Sequence, residues 1–104
     1  MNQEPDQVDI GARIYDIVRA IPPGRVMSYG AVGGRCEPPI SGYICGRIMG
    51  NAPDDVPWWR VLARDGALPI HKRGPDLALR QREQLTAEGI EFEDGRVPRR
   101  FFDG

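Results

Sequence analysis

The sequence has few of the residues that build metal sites and disulfide frameworks. It contains two cysteines and one histidine in 104 residues. Cys36 and Cys45 fit no CxxC or other metal-ligand spacing, so no metal and no other cofactor is expected. Their number permits one disulfide, but two free thiols are favoured in a cytosolic protein.

Long apolar runs are also missing. No stretch approaches the ~20 apolar residues that span a bilayer. The first ten residues, MNQEPDQVDI, are acidic and lack the basic and then apolar layout of a signal peptide. The sequence therefore predicts a cytoplasmic protein without a membrane partner, and its length is that of one domain over residues 1–104.

The chain has little net charge. A total of −1 argues against a generic nucleic-acid binder. The charge is unevenly distributed, however, because residues 1–18 carry −3, residues 19–82 carry +5 and residues 83–104 carry −3. A basic middle segment is what phosphate binding requires, although charge alone fits a solvated mixed surface equally well.

The first half of the chain contains three helix signals. Apolar residues recur at helical spacing after Asp9, which predicts a helix capped by Asp9 and ended by IPPG. Ser28 can cap a short second helix, SYGAVGGRC, that the following two prolines terminate. Ser41 can cap a third helix, SGYICGRIMGN, which is closed by its final Gly-Asn.

Two short helices joined by a tight turn are typical of a helix-turn-helix, whose second member usually reads DNA. A helical hairpin that only packs a core is the alternative. Tyr43 and Arg47 are four residues apart and are expected to point outward together, and the small Gly42 and Gly46 beside them would allow close approach to a nucleic-acid backbone. The opposite, apolar face of this helix consists of Ile44, Cys45, Ile48 and Met49.

The second half predicts a hairpin and a last helix. WRVLARDGALPI reads as two short strands around a turn at Asp65-Gly66, followed by a basic loop, HKRGP. Asp76 can cap a helix that Gly89 ends. The tail IEFEDGRV forms either a short edge strand or nothing regular. The predicted fold class is thus mainly α with a short β-hairpin, and the core of the last helix is expected to be Leu77, Leu79 and Leu85.

Over about residues 10–92 the chain resembles the DNA-binding, active-site domain of the O6-alkylguanine-DNA alkyltransferases. The resemblance rests on five segments in order: IPPGRVMSYG, GRIMGN, PWWRV, DGALP and LRQREQLTAEGIEF. It implies the helix-turn-helix, winged-helix-like fold of the C-terminal domain of those enzymes. Their P-C-H-R-V motif carries the cysteine that accepts the alkyl group, whereas Trp58 stands at that position here. This replacement is the mark of the alkyltransferase-like proteins, which bind alkylated DNA without repairing it directly.

The replacement removes the chemistry of alkyl transfer, which needs a thiolate nucleophile with a nearby base. Trp58 supplies no thiolate, and Trp59 also takes the place of the family's histidine. Cys45 is expected on an apolar helix face, where a buried thiol is usually inert. We therefore expect no enzyme activity, with a residual alkyltransferase as the alternative.

The resemblance implies a pocket for a base turned out of the duplex. Stacking on the indole of Trp58 is worth about 1–3 kcal/mol, comparable with a flipping cost of a few kcal/mol. A tryptophan of the core is the alternative interpretation of Trp58, and Trp59 is expected to pack beneath the site. The implied pocket residues are Trp58, Tyr29, Val61, Asn51, Lys72 and Arg73, with His71 on the same loop as the last two.

DNA contacts are implied for the second and third helices. Tyr29 is expected to crowd the phosphate of the target nucleotide, and Ser28 to cap its helix and bind phosphate. Tyr43 stands where the family has an arginine finger, so either Tyr43 fills the gap by stacking, or Arg47 shares the work, or flipping is weaker. The implied DNA-binding residues are Ser28, Tyr29, Ser41, Tyr43, Gly46 and Arg47, and the implied structural residues near the pocket are Pro57, Trp59, Arg60 and Glu88.

The function that the resemblance implies is that of a monomeric, non-enzymatic DNA damage sensor. Such a protein would bind O6-alkylguanine in double-stranded DNA from the minor groove, turn the base out and flag it for nucleotide excision repair proteins. The alternative is a winged-helix transcription regulator that reads undamaged DNA. The lack of an obvious dimerisation helix counts against this alternative.

Overall fold

The structure is a computed structural model that describes residues 9–68 and 70–104, without the side chains of residues 70–73. Two short 3-10 turns accompany four helices and two strands. In chain order the elements are α1 (Ile10–Arg19), β1 (Met27–Ser28), α2 (Tyr29–Gly34), α3 (Gly42–Met49), the turn Trp58–Arg60, β2 (Val61–Leu62), α4 (Ile70–Ala87) and the turn Arg99–Phe101.

Each of the first three helices begins at the predicted cap. The Asp9 carboxylate accepts from Ala12 N–H at 3.1 Å, the Ser28 hydroxyl from Ala31 N–H at 3.0 Å and the Ser41 hydroxyl from Ile44 N–H at 3.2 Å. These bonds satisfy amide groups that the first helical turn leaves unpaired. The three cap predictions are confirmed.

Glycines let α2 and α3 approach each other closely. A Cβ on Gly42 would lie 3.0 Å from Gly30 N, and a Cβ on Gly33 would clash with Ile40 O. The lack of a side chain at Gly42 therefore allows close packing between α3 and α2. The expectation that Gly42 opens a path to a nucleic-acid backbone is wrong, since its open side faces α2.

The strands pair with each other in parallel, in the register Met27↔Val61 and Ser28↔Leu62. The predicted hairpin is wrong for this segment, although its turn forms: Ala67 N–H donates to Asp65 Oδ1 at 3.0 Å. The residues after the turn do not return as a strand, because Gly66 O accepts from Val97 N–H of the C-terminal segment at 2.9 Å.

The strand pair lies between two cores, which explains why β2 is apolar on both sides. Val61 and Met27 belong to the first core, and Leu62 belongs to the second. The first core collects buried side chains of α1, α2 and α3. The second core contains Val26, Leu62, Leu85, Ile90, Val97 and Phe102.

Helix α4 is interrupted at Gly74, whose φ of 80° and ψ of 167° are not helical. The regular helix resumes at Pro75, a residue suited to a first helical turn, so the predicted cap at Asp76 is wrong: the boundary residue is Gly74, two positions earlier. The predicted stop is confirmed, with Gly89 at φ 93° and Ile90 N–H bonded to Leu85 O at 3.1 Å. The core prediction holds for Leu85 but is wrong for Leu79, which is 57% exposed.

The C-terminal segment completes the second core. Phe102 bridges to Val26, and the backbone N–H of Asp103 donates to Val26 O at 2.8 Å. Arg25 holds this segment with two further bonds, to Arg100 O at 2.9 Å and Phe102 O at 2.7 Å. The predicted tail, residues 90–97, is irregular apart from one isolated bridge between Glu93 and Arg96, which matches one of its two predicted outcomes.

Cys36 and Cys45 are both buried, and the structure has them as free cysteines. In the two described ranges, no helix combines the length and apolarity required to cross a membrane. The same residues form no cluster of three or more histidine, cysteine or acidic side chains suited to a metal ion.

Candidate functional site

The Pro57–Arg60 segment brings two indoles together at right angles. Trp58 N–H bonds to Val56 O at 2.7 Å and Arg60 N–H to Pro57 O at 3.1 Å, which curls the chain into one tight turn. The rings of Trp58 and Trp59 meet edge to face, 6.0 Å apart at 83°. The turn thus sends the two side chains to different places, Trp58 against the first core and Trp59 against the second.

Trp58 forms one wall of a surface pocket of about 190 Å³. Its apolar lining includes Met49 at the end of α3 and Leu77 on α4, and its charged lining consists of Asp54 and Arg80. The lining residues that belong to the described part of the chain are Met49, Gly50, Ala52, Asp54, Trp58, Leu77 and Arg80. An indole, a thioether and an isobutyl group around a partly open space form a suitable surface for a flat aromatic ligand.

Trp59 is fixed by a hydrogen bond to Glu88. Its indole Nε1 donates to Glu88 Oε2 at 2.8 Å. The same carboxylate accepts from Arg60 at 2.7 Å and from the backbone N–H of Gly24 at 3.0 Å. Burial alone would raise the pKa of the Glu88 carboxyl, but the hydrogen bonds from Arg60, Trp59 and Gly24 together lower this pKa below its ordinary value.

Arg60 joins the pocket turn to the end of α1. Besides Glu88, its guanidinium donates to Ile21 O at 2.9 Å and lies 5.6 Å from the Trp59 ring centre. The side chains of Arg60 and Glu88 are each 12% exposed, so this ion pair is largely removed from water. These contacts suit the structural role expected for Pro57, Trp59, Arg60 and Glu88, all of which lie around or beneath the turn.

Gln81 is a supporting residue that sequence reasoning missed. Its fully buried side-chain amide donates to Trp59 O at 3.1 Å and Val61 O at 3.0 Å. These bonds attach α4 directly to the turn that carries Trp58. A glutamine inside a predicted amphipathic helix gives no signal of such a role, because only the tertiary fold brings α4 against this backbone.

Three expected pocket residues, Tyr29, Val61 and Asn51, do not line this pocket. Val61 is fully buried in β2, so its side chain supports the pocket from behind and does not line it. Asn51 is exposed in the turn after α3, where its backbone N–H bonds to Ile48 O at 3.1 Å. The side chains of His71, Lys72 and Arg73 lie outside the described residues. Leu77 and Arg80, which were not expected, take part in the lining.

The outer face of α3 carries an exposed Tyr–Arg pair, as predicted. Tyr43 is 65% exposed, and the Arg47 guanidinium donates to its hydroxyl at 3.3 Å and lies 5.9 Å from its ring centre. Ile44 was expected in the core but is 45% exposed beside Tyr43. The buried face is set by Cys45 and Met49, one turn apart, which leaves Ile44 turned toward the outer face.

The remaining candidate DNA contacts surround this face. Tyr29 begins α2 and is largely buried in the first core, so only part of the side chain reaches the surface. Ser28 precedes it and is also largely buried, with its oxygen occupied as a helix cap. Ser41 is exposed at the start of α3, and Gly46 is half-buried in the same helix. Their roles in DNA binding stay predictions.

The two thiols are unsuited to nucleophilic chemistry. Cys45 is fully buried, and desolvation raises the pKa of its thiol to about 11. Burial likewise raises the pKa of Cys36, against a smaller opposing effect of Arg13. A thiol that stays protonated at neutral pH is a poor alkyl acceptor. Within the described ranges, the site therefore combines aromatic surface and fixed charges with no thiolate.

The chain matches a known DNA-binding family. Residues 9–90 fit the model of the 6-O-methylguanine DNA methyltransferase DNA binding domain. A DNA base-flipping protein of Vibrio parahaemolyticus is 32% identical over 84 residues, which cover 79% of this chain and 81% of that protein. A DNA base-flipping protein of Escherichia coli is 39% identical over 80 residues, which cover 75% of this chain and 60% of that protein.

Solved structures show the same fold. The S. pombe ATL protein in complex with DNA has a TM-score of 0.78 at 24% identity, over 91% of this chain and 94% of that one. A further S. pombe complex, with damaged DNA containing O6-carboxymethylguanine, also has a TM-score of 0.78. Mycobacterium tuberculosis OGT bound to DNA has a TM-score of 0.67 at 27% identity, over 79% of this chain and 50% of that one. The predicted alkyltransferase-type, mainly helical fold is confirmed.

Proposed function

Because the chain belongs to the family of the 6-O-methylguanine DNA methyltransferase DNA-binding domain, we propose that it is a non-enzymatic sensor of O6-alkylguanine in duplex DNA. One observation carries the proposal: Trp58 is a wall of the pocket at the position where the resembling enzymes have their alkyl-acceptor cysteine. An indole offers no thiolate to take the alkyl group. It does offer a flat apolar surface on which a purine and its substituent can lie.

The duplex is proposed to lie against α3, with the minor groove facing Tyr43, Ile44 and Arg47. The exposure of these three side chains supports this placement, because an aromatic and a branched apolar group beside a cation suit insertion between base steps. The DNA complexes of the S. pombe relative also support duplex binding by this fold. The basic middle of the chain, with a net charge of +5 over residues 19–82, would supply phosphate contacts.

Tyr43 is proposed to fill the gap left by the flipped base. Arg47 lies beside its ring and donates to its hydroxyl, so the ring is supported from within the same helix. Such a pair combines a stacking group with a guanidinium that is free to approach phosphate on its other edge. In this proposal the two residues divide the work of a single arginine finger.

Energetics make binding without reaction feasible. Flipping costs a few kcal/mol, and less for a damaged pair. Stacking on one aromatic side chain returns about 1–3 kcal/mol. Lesion preference can therefore arise because the damaged base is cheaper to extrude and then stacks on Trp58, whereas an undamaged guanine stays paired in the duplex and does not reach the indole. The bound complex persists, since no covalent step removes the alkyl group.

The biological setting follows from resemblance to the alkyltransferase-like proteins. We propose a cytoplasmic monomer that marks the lesion for nucleotide excision repair proteins. In this role a long-lived complex is the output, and a repair protein would recognise the bent or occupied DNA.

Two measurements test the proposal. Affinities for matched duplexes with guanine or O6-methylguanine should differ in favour of the lesion, and intact-protein mass after incubation with the methylated duplex should be unchanged. A gain equal to one methyl group would identify an alkyltransferase. Equal affinity for both duplexes, with a preference for one sequence over others, would instead identify a transcription regulator.

A further inference from the structure

Among the described side chains that line the Trp58 pocket, one is positively charged and one is negatively charged. Arg80 projects from α4, and Asp54 belongs to the loop that leads into the Trp58 turn. Both residues are exposed, and neither forms an ion pair with another charged residue within the described ranges. Arg60, the other arginine near the site, is already committed to Glu88. Of the arginines whose side chains the structure describes, Arg80 is thus the one in this pocket that is available to a ligand.

The position of Arg80 relative to Trp58 is held by its neighbour in sequence. Gln81 is fully buried and donates to Trp59 O and Val61 O, one on each side of the residue that ends the turn. Leu77, three residues before Arg80 and on the same side of α4, lines the pocket as well. The helix therefore presents an apolar group and a cation, in fixed order, to anything lying on the indole.

We propose that Arg80 makes this pocket prefer O6-substituents that carry a negative charge, of which a carboxymethyl group is the simplest. The inference deepens the proposed function and depends on it. A guanidinium offers two parallel N–H donors that match the two oxygens of a carboxylate. A neutral methyl group gains nothing from this contact.

Asp54 opposes this preference and restricts where in the pocket an anionic substituent can lie. Its carboxylate repels an anion on the loop side of the pocket and so favours a pose in which the substituent points toward α4. Removing the Asp54 charge should therefore help an anionic substituent, whereas removing the Arg80 charge should harm it. A general loss of structure would weaken binding in both variants, so opposite changes in affinity would point to the charges themselves.

The test compares three otherwise identical duplexes, containing guanine, O6-methylguanine or O6-carboxymethylguanine. The quantity measured is the ratio of Kd values for the two lesions on the same protein. Arg80→Gln should weaken binding of the carboxymethyl duplex about tenfold while leaving the methyl duplex within about twofold. Asp54→Asn should strengthen carboxymethyl binding by about two- to fivefold. Arg80→Lys, which keeps the charge without the fork, should be intermediate.

The outcomes separate this inference from the proposed function. If Arg80→Gln weakens all three duplexes equally, Arg80 contacts a phosphate and the inference is wrong. If the lesion ratio is the same in wild type and Arg80→Gln, the inference is also wrong, although lesion binding stands. If wild type binds the guanine duplex as tightly as both lesions, the proposed function itself fails. Arg64→Gln, a change of one arginine outside the pocket, is the matched control and should leave the ratio unchanged.

Discussion

Trp59 donates its indole N–H to the Glu88 carboxylate at 2.8 Å, and through this bond the second tryptophan of VPWWRV takes a defined place. The resembling enzymes have a histidine at that position, supported by the acid that Glu88 matches. The sequence comparison led us to expect that Glu88 would keep only a structural role once the histidine was gone. The structure shows what this role is: the Glu88 carboxylate accepts hydrogen bonds from the Trp59 indole N–H, from Arg60 and from the backbone N–H of Gly24.

The first prediction concerns stability. Glu88→Gln should lower the free energy of unfolding by about 2–3 kcal/mol, because it leaves the largely buried Arg60 guanidinium without its countercharge. Urea denaturation measures the loss. Asp55→Asn is the control, since Asp55 pairs with Arg19 at 3.1 Å but the two side chains are 68% and 40% exposed. That substitution should change stability by less than about 0.5 kcal/mol, and equal losses for the two variants would contradict the assignment.

The second prediction concerns pH. The pKa of Glu88 is lower in the folded protein than its ordinary value, so folding favours the carboxylate. Its stabilising contribution is therefore present above the unfolded pKa of about 4.3 and is lost as pH falls through the folded pKa. Urea titrations between about pH 6 and pH 3 should show a smaller loss of stability in Glu88→Gln than in wild type. Parallel pH profiles would show that Glu88 does not contribute.

The third prediction concerns the outer face of α3. Tyr43→Ala should weaken binding of the O6-methylguanine duplex by about 1–3 kcal/mol, because it removes the proposed stacking group. Tyr43→Phe keeps the ring and should bind nearly as wild type, since the stacking surface remains although the exposed bond from Arg47 to the hydroxyl is lost. Kd measurements on the three proteins decide the point. Wild-type affinity in Tyr43→Ala would show that Tyr43 is a surface residue without this role.

The fourth prediction tests the contact between α2 and α3 with two neighbouring glycines, of which Gly42 points into the contact and Gly30 points away from it. Gly42→Ala should cost about 1–3 kcal/mol, because its Cβ would lie 3.0 Å from backbone N of Gly30. Gly30→Ala meets nothing within 4 Å and should be neutral or stabilise by up to about 1 kcal/mol. Thermal unfolding of both variants provides the measurement. Similar destabilisation by both would contradict the packing described for these helices.

Local signals in the sequence predicted much of this fold correctly. Asp9, Ser28 and Ser41 were identified as caps because a cap depends on a few adjacent residues. The pairing of β2 was predicted wrongly because its partner, Met27, is distant in sequence, and turn chemistry at Asp65-Gly66 gives no information about it. β2 pairs with β1 in a position where an apolar core lies on each side of the strand pair. These cores exist only in the folded chain, so the local sequence does not reveal the pairing.

The candidate site shows the same division. Trp58 was found from one motif, because the identity of that residue excludes thiolate chemistry by itself. Leu77, Arg80 and Gln81 were missed because they act through α4, which reaches the turn only after folding. Val61 was expected in the pocket because it lies close to Trp58 in sequence. Side chains alternate between the two faces of a strand, however, and that of Val61 points into the core.

The central claim is that Trp58 holds a flipped, alkylated base, and one comparison of affinities tests it most directly. Wild type, Trp58→Ala, Trp58→Phe and the exposed control Leu79→Ala are titrated with the O6-methylguanine duplex and its guanine counterpart, after folding is checked by thermal unfolding. We expect Trp58→Ala to lose about 1–3 kcal/mol of lesion affinity with little change for guanine, Trp58→Phe to lose less, and Leu79→Ala to match wild type. A lesion preference that survives unchanged in Trp58→Ala would contradict the claim.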